Sequence, residues 1–262
     1  MAPINIQSKN LTTFNFFMNE YLIKHHDSLL LTDNQVGAIN TSVNAIKNKI
    51  SEYYNVKYPN IKIFGSFNRK TIIKNDNADI DIMVVFDNDS NTNKPHKPQT
   101  LLSNLKVFGE NKYPRSLCSQ SFPVIKIELD HIKFDLVPAV NLYGIDSYLH
   151  IPSKDFTDWI NTDVIAFDDN INTKYTDKPI LRKIARILKK WNIDNGKTMQ
   201  SFELEKWITE CHYSNECRYI KDYLFYFIKN SYSFHNHNDK TRRLKESISK
   251  VESGAMQISN IF

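Results

Sequence analysis

Three aspartates, Asp79, Asp81 and Asp135, are the residues whose type and spacing best suit chemistry in this sequence. Asp79 and Asp81 stand two apart at the start of an apolar run, and residues two apart in a β-strand project from the same face. Two neighbouring carboxylates repel each other unless a cation lies between them. Asp135 lies within another apolar run, where burying an unpaired carboxylate is costly. Oxygen-only ligation of this kind favours Mg²⁺, with Mn²⁺ as a substitute.

Each aspartate also has a purely structural interpretation. Asp79 could end a loop, and Asp135 could pair with a lysine such as Lys126 or Lys133. This interpretation is favoured for any single aspartate. Three aspartates on neighbouring strands favour a metal site instead.

A second candidate is the Gly65-Ser66 pair, which follows a short strand-like segment at 61–64. If residues 67–71 turn into a helix, the backbone N–H groups and the hydroxyl of this pair suit a phosphate. Most Gly-Ser pairs are ordinary turns, so this pair indicates a phosphate site only in combination with the three aspartates.

A possible zinc site involves Cys211, His212 and Cys217, with His235 or His237 as a fourth ligand. The two cysteines lack the close spacing of structural zinc sites, and Cys211 and His212 point in different directions on a helix. Two buried thiols and a surface imidazole are the favoured interpretation.

Hydrophobic periodicity predicts the elements that position these residues. The first 170 residues are predicted to mix helices and strands, and the rest to be helical. A polar stretch at 87–100 is predicted to be an exposed loop, and residues 122–129 and 132–137 an antiparallel hairpin. The other predicted strands are 61–64 and 80–86, and the predicted helices are 11–31, 33–54 (with Thr32 and Asp33 able to cap it), 101–108, a helix after residue 177, 201–213, 216–230 and 239–251.

Composition narrows the class of protein. The chain has 262 residues with 41% hydrophobic content, enough to bury a core, and no apolar run of the roughly 20 residues that span a membrane. Three cysteines and no leader-like pattern at 1–10 lead us to expect a cytoplasmic protein. Lys and Arg total 34 against 29 acidic residues, a net charge of +5 that suits a local anionic ligand better than a long duplex.

The ordered motifs resemble one family. Gly65-Ser66, Asp79-Ile80-Asp81 and the later Asp135 are similar to the nucleotidyltransferase core of the DNA polymerase β superfamily. Their spacing is close to that of the bacterial cGAS/DncV-like nucleotidyltransferases (CD-NTases) and their oligoadenylate-synthase relatives. One position departs from the family: Lys70 stands where the family usually has glycine. The resemblance continues in Phe134-Asp135-Leu136-Val137-Pro138-Ala139, Ile151-Pro152, Trp159 with Thr162-Asp163, Leu188-Lys189-Lys190-Trp191 and Ser201-Phe202-Glu203-Leu204-Glu205.

The resemblance implies an α+β fold. Residues 1–170 would form a polymerase-β-like nucleotidyltransferase core with a mixed sheet, N-terminal helices and a long spine helix at 33–54. Residues 171–262 would form a helical domain that closes the nucleotide cleft.

The resemblance also implies roles for individual residues. Asp79 and Asp81 would hold two Mg²⁺ ions, and Asp135 would complete the site of the ion that activates the attacking ribose hydroxyl. The triphosphate would contact Gly65 and Ser66 together with Lys189 and Ser201, and Phe202 could stack on the base. For Lys189, a position on a solvated helix face is an equally good interpretation. For Phe202, packing in the core is favoured over stacking on a base.

The implied activity is the joining of nucleoside triphosphates into a cyclic di- or trinucleotide or a short oligonucleotide. The product would act as a second messenger on a downstream effector in anti-phage defence. One alternative is an enzyme with the same active site that transfers a nucleotide to a macromolecule, such as a tRNA 3′ end or a protein hydroxyl. An RNA acceptor should need a long basic surface, and the modest net charge gives no clear sign of one. A non-catalytic binding module is disfavoured because all three carboxylates are present, and a minimal antitoxin-type enzyme because of the extra helical half.

Overall fold

The computed structural model describes residues 6–55, 60–74, 79–88, 94–142 and 149–262. It divides into two compact units. One comprises Leu31–Asn170, and the other combines Met1–Leu30 with Ile171–Phe262. No helix among the described residues is long and apolar enough to cross a membrane.

The unit formed by Leu31–Asn170 contains a mixed sheet. Its strand order is β1-β2-β5-β4-β3, with β6 paired to β5 and β7 paired to β6. The central pair, β2 and β5, is parallel, whereas the other pairs are antiparallel. The strands are β1 (Ile61–Phe64), β2 (Asp79–Phe86), β3 (Leu117–Ser121), β4 (Val124–Glu128), β5 (Lys133–Asn141), β6 (Leu149–Pro152) and β7 (Trp159–Thr162).

The two faces of this sheet differ because side chains alternate along each strand. On one face, Ile80, Ile82 and Phe134 are buried in a core shared with α2 (Asp33–Tyr54) and α4 (Pro98–Lys112). The residues between them, including the three aspartates, belong to the opposite face. The burial of the apolar side chains on one face of the sheet therefore places the carboxylates on the opposite face.

Helix α2 confirms the prediction for residues 33–54. Thr32 caps it: the Gln35 N–H donates to the Thr32 hydroxyl at 3.3 Å, and the Thr32 N–H donates to the Gln35 side chain at 2.9 Å. The apolar stripe is buried in its centre, whereas Val36 and Tyr53 near its two ends remain exposed.

Some elements of this unit were not predicted. Strand β3 was missed because it is a short edge strand of mostly polar sequence with no apolar alternation. The short strands β6 and β7 and helix α5 (Val164–Asp177) were also missed, whereas the helix predicted after residue 177 is confirmed as α6 (Ile180–Asp194). The predicted hairpin is confirmed as β4 and β5. The predicted loop at 87–100 is too long at its end, because α4 already begins at Pro98. Residues 89–93 of this predicted loop lie outside the described residues.

The other unit is helical, and α1 belongs to it rather than to the core domain in which the sequence placed it. Helix α1 packs against α6 and α8. Its Asn15 and Asn19 side chains accept hydrogen bonds from Lys221 of α8, at 3.1 and 3.4 Å. Met18 and Leu22 are buried. The elements are α1 (Ile6–Ser28), α6 (Ile180–Asp194), α7 (Ser201–Glu210), α8 (Ile220–Asn230), α9 (Tyr232–His235), α10 (Asp239–Glu252) and a 3₁₀ turn at Ile258–Asn260.

Candidate active site

The carboxylates of Asp79, Asp81 and Asp135, called the carboxylate triad below, lie on one face of the two central strands. Asp81 of β2 stands directly beside Asp135 of β5 in the parallel register. Adjacent strands are about 4.8 Å apart, so these two side chains are neighbours, and Asp79 lies one step along the same face. The structure thus brings the three aspartates together as the sequence predicted.

Lys126 contacts the triad through Asp135. It faces Asp135 across the β4–β5 pair, and its Nζ lies 3.1 Å from Asp135 Oδ2. Lys133 pairs instead with Glu128, at 3.2 Å. The structural interpretation of Asp135 is therefore correct in naming Lys126 as a partner. The other oxygen, Asp135 Oδ1, is buried and has no hydrogen-bond partner among the described residues.

The negative charge of the triad is only partly compensated by nearby cationic side chains. Burial raises the pKa of Asp81 to about 7, and the nearby charges of Asp135 and Asp79 add to the effect while Arg69 opposes it. Burial likewise raises the pKa of Asp135, against the hydrogen bond and charge of Lys126. A positive charge placed among these carboxylates would be strongly favoured.

The donor set fits a hard divalent cation, because carboxylate oxygens are the ligands that Mg²⁺ and Mn²⁺ prefer. The unpartnered Oδ1 of Asp135 is a buried acceptor in a suitable place. Within the described part of the chain, no three His, Cys, Asp or Glu side chains converge into a complete metal site as they stand. Lys126 holds one oxygen of Asp135, so a full ligand set requires the side chains to adjust.

Gly65 supports Asp81 from the end of β1. Its φ is +75°, a left-handed conformation that disfavours other residues. A Cβ atom on Gly65 would lie 2.0 Å from Asp81 Oδ2, so the space also excludes a side chain. The helix predicted at 67–71 is instead a single turn, α3 (Gly65–Asn68). The Ser66 carbonyl accepts the Thr71 N–H at 2.8 Å. Lys70 keeps a positive φ of 55°, so the turn retains this conformation although the usual glycine is replaced.

A buried ion pair, which no sequence pattern predicted, anchors this turn. The Arg69 guanidinium donates to Asp168 of α5, and both side chains are almost fully buried. Asn68 donates to the same carboxylate at 3.1 Å, and the Gly65 N–H is a further donor. Nothing in the polar sequence around Asp168 distinguishes it from its neighbour Asp169, so only the three-dimensional contact reveals it.

Lys189, predicted to contact triphosphate, lies in the helical unit. Its side chain is buried, so the alternative of a solvated helix face is wrong. The reason is an ion pair: Lys189 Nζ lies 3.6 Å from Glu205 Oε1 of α7, and Tyr175 donates to the other Glu205 oxygen at 3.1 Å. Glu205 stands within the motif Ser201-Phe202-Glu203-Leu204-Glu205, but no role was predicted for it from the sequence.

Ser201 and Phe202 begin helix α7 in the same unit. Ser201 is half-buried, and Phe202 is 52% exposed. The favoured interpretation of Phe202 as a core residue is therefore wrong, and its ring is accessible for stacking. Its place in the first turn of α7 explains the exposure, since α7 buries Leu204, Glu205 and Ile208 instead.

The residues considered for a zinc site differ in burial. Cys211 and Cys217 are free thiols, partly and fully buried respectively, and His212 is exposed. Burial raises the pKa of Cys211 to about 11. His237 contacts the Thr198 carbonyl at 3.1 Å.

Three solved structures illustrate how widely this fold is shared. A Vibrio cholerae DncV cyclic AMP-GMP synthase, in complex with the linear intermediate pppA(3′,5′)pG, matches with a TM-score of 0.70 at 12% identity, covering 87% of this chain and 88% of that one. CdnC of E. coli MS115-1 with ATP matches with a TM-score of 0.65 at 16% identity, covering 82% and 71%. The CdnE cyclic dinucleotide synthase of Elizabethkingia meningoseptica, with GTP and Apcpp, matches at 0.64 and 16% identity, covering 90% and 96%.

No curated protein sequence matches this chain. A family model does: the Second Messenger Oligonucleotide or Dinucleotide Synthetase domain matches residues 17–174, more than half of the sequence. The predicted α+β, polymerase-β-like fold and the predicted resemblance are confirmed by these findings. The chain therefore belongs to the family of Second Messenger Oligonucleotide or Dinucleotide Synthetase domains and is a nucleotidyltransferase of the CD-NTase type.

Proposed function

We propose that this protein uses two Mg²⁺ ions, or Mn²⁺ in their place, to join nucleoside triphosphates into a cyclic di- or trinucleotide or a short oligonucleotide. The observation that carries the proposal is the placement of Asp81 beside Asp135 on adjacent strands, with Asp79 on the same face. The family match supports the same chemistry.

In this proposal the carboxylate triad holds the ions. Asp79 and Asp81 would bind both, and Asp135 would complete the site nearest the attacking ribose hydroxyl. When bound, divalent ions neutralise charge on the attacking and leaving oxygens of a phosphoryl transfer. The partial burial of Asp81 and Asp135 keeps water away from these carboxylates and so strengthens their electrostatic effect.

The remaining predicted residues would bind the nucleotide. The Ser66 hydroxyl, in the turn that Gly65 and the Arg69–Asp168 pair hold in shape, would contact the triphosphate. Lys189 and Ser201 would provide a cation and a hydroxyl for binding a triphosphate. The exposed ring of Phe202 would stack on a base.

The proposed biological role follows from the family. The product would act as a second messenger that binds a separate effector protein in anti-phage defence. Three free cysteines suit a reducing compartment, and we propose the cytoplasm.

The decisive experiment incubates the purified protein with all four nucleoside triphosphates and Mg²⁺ or Mn²⁺, followed by phosphatase treatment and mass spectrometry. Asp79→Asn should abolish the product. Asp87→Asn is the matched control, because Asp87 is an exposed aspartate just beyond the other end of β2. A cyclic or short oligonucleotide made by the wild type and by Asp87→Asn, but not by Asp79→Asn, would support the proposal.

Two results would contradict it. Equal product from Asp79→Asn and the wild type would remove the triad from catalysis. If labelled nucleotide instead accumulated on added tRNA or on protein, with no small-molecule product, the acceptor would be a macromolecule.

A further inference from the structure

We propose that Lys126 is an internal counter-cation of the carboxylate triad and competes with divalent cations for Asp135. This inference rests on the proposed function, because it assumes that the triad binds metal. It adds a residue outside the predicted site that sets how tightly the metal is held.

The position of Lys126 is fixed by the sheet. In the β-strand register Lys126 stands beside Asp135, which in turn stands beside Asp81, so the three residues form one row across β4, β5 and β2. The ammonium lies 3.1 Å from Asp135 Oδ2. The Lys126 side chain is 29% exposed and that of Asp135 is 13% exposed, so water screens the pair only in part.

Lys126 lies at the edge of the whole triad and not beside Asp135 alone. Asp135 and Asp81 stand in the same row as Lys126, and Asp79 lies on the same face. The ammonium of Lys126 is therefore a cation at one side of the three carboxylates.

The competition follows from the two oxygens of Asp135. Oδ1 has no hydrogen-bond partner among the described residues, whereas Oδ2 is held by Lys126. A divalent cation that binds Asp135 must share the carboxylate with the ammonium or displace it. Like charges at this distance repel, so removing the ammonium should strengthen metal binding.

Lys133 offers a matched comparison within the same sheet. It lies on the same face, one row from Lys126 and beside Asp79 in the parallel register, and its side chain is also 29% exposed. Its ammonium bonds Glu128 at 3.2 Å and no carboxylate of the triad. Replacing Lys133 removes an equal charge without freeing an oxygen of Asp135.

The test measures Mn²⁺ affinity by calorimetry and electron paramagnetic resonance, on the full chain without nucleotide and at constant pH. Lys126→Met should lower the Kd for Mn²⁺ by about tenfold, since it removes a unit charge a few ångströms from the site. Lys126→Arg, which keeps the charge, should stay within about threefold of the wild type. Lys133→Met removes an equal charge beside Asp79 but frees no oxygen of Asp135, so it should lower the Kd less than Lys126→Met does. Circular dichroism checks that every variant is folded.

The outcomes separate the inference from the proposed function. An unchanged Kd in Lys126→Met would overturn the inference, and a weaker affinity would show that Lys126 orients Asp135 for the metal instead of competing with it. The proposed metal site itself is tested by Asp79→Asn in the same titration. If the wild type bound Mn²⁺ no better than Asp79→Asn, the metal site and the inference would both be refuted.

Discussion

The contact between Gly65 and Asp81 yields the sharpest prediction, for the substitution Gly65→Ala. An alanine Cβ would stand 2.0 Å from Asp81 Oδ2, whereas ordinary contact begins near 3.4 Å. Asp81 or the turn must therefore move by about 1 Å or more. Alanine must also adopt the φ of +75° that glycine tolerates.

The magnitude can be worked from these two effects. The left-handed conformation costs alanine about 1–2 kcal/mol, and overpacking costs about 1–3 kcal/mol more. We expect the free energy of unfolding to fall by about 2–5 kcal/mol. A displacement of about 1 Å in a residue that positions reacting groups lowers turnover by about 100-fold, and we expect a loss of at least that size.

Gly254→Ala provides the matched control. Gly254 has a φ of +77°, and nothing lies within 4 Å of the Cβ that alanine would add there. It should therefore lose only about 1–2 kcal/mol of stability and no activity. Urea unfolding and product formation from nucleoside triphosphates measure both quantities. If Gly65→Ala proved as stable and as active as Gly254→Ala, the close approach of Gly65 to Asp81 would be refuted.

Two further predictions concern Asp81 and Lys189. Asp81 loses its proton near pH 3.8 when unfolded and at about 7 when folded, so between these values the folded state binds more protons and stability falls as pH rises. Urea unfolding in EDTA should show a loss of about 2–4 kcal/mol between pH 4 and 7 that Asp81→Asn flattens, and equal slopes in both proteins would contradict the assignment. Lys189→Ala should raise the KM for nucleoside triphosphate by about tenfold through loss of a charged contact. Lys190→Ala, which removes only an i,i+4 ion pair with Asp194, should leave KM unchanged, and equal KM values in the two variants would remove Lys189 from the binding site.

Much of the fold was predictable because its signals are local. The helix at 33–54 follows from a regular apolar stripe and a capping residue. The strand β2 follows from a continuous apolar run. Elements without such a pattern, such as the polar edge strand β3, were missed. The grouping of α1 with the helical unit was also missed, since it depends on contacts with residues far along the chain.

The sequence by itself determined the chemistry of the triad. Side chains alternate along a strand, so Asp79 and Asp81 lie on one face regardless of the rest of the fold. Asp135 in a second apolar strand then indicates a metal site. The order of these residues with Gly65-Ser66 was enough to identify the family resemblance, which the family model confirms.

Only the tertiary structure decided the partners of the candidate site residues. The register between strands places Lys126, and not Lys133, against Asp135. The packing of α5 brings Asp168 to Arg69, and that of α7 buries Lys189 against Glu205. These pairings join residues that are distant in sequence or lie on different elements. Their energies depend on burial and on distances of a few ångströms, which residue spacing along the chain does not encode.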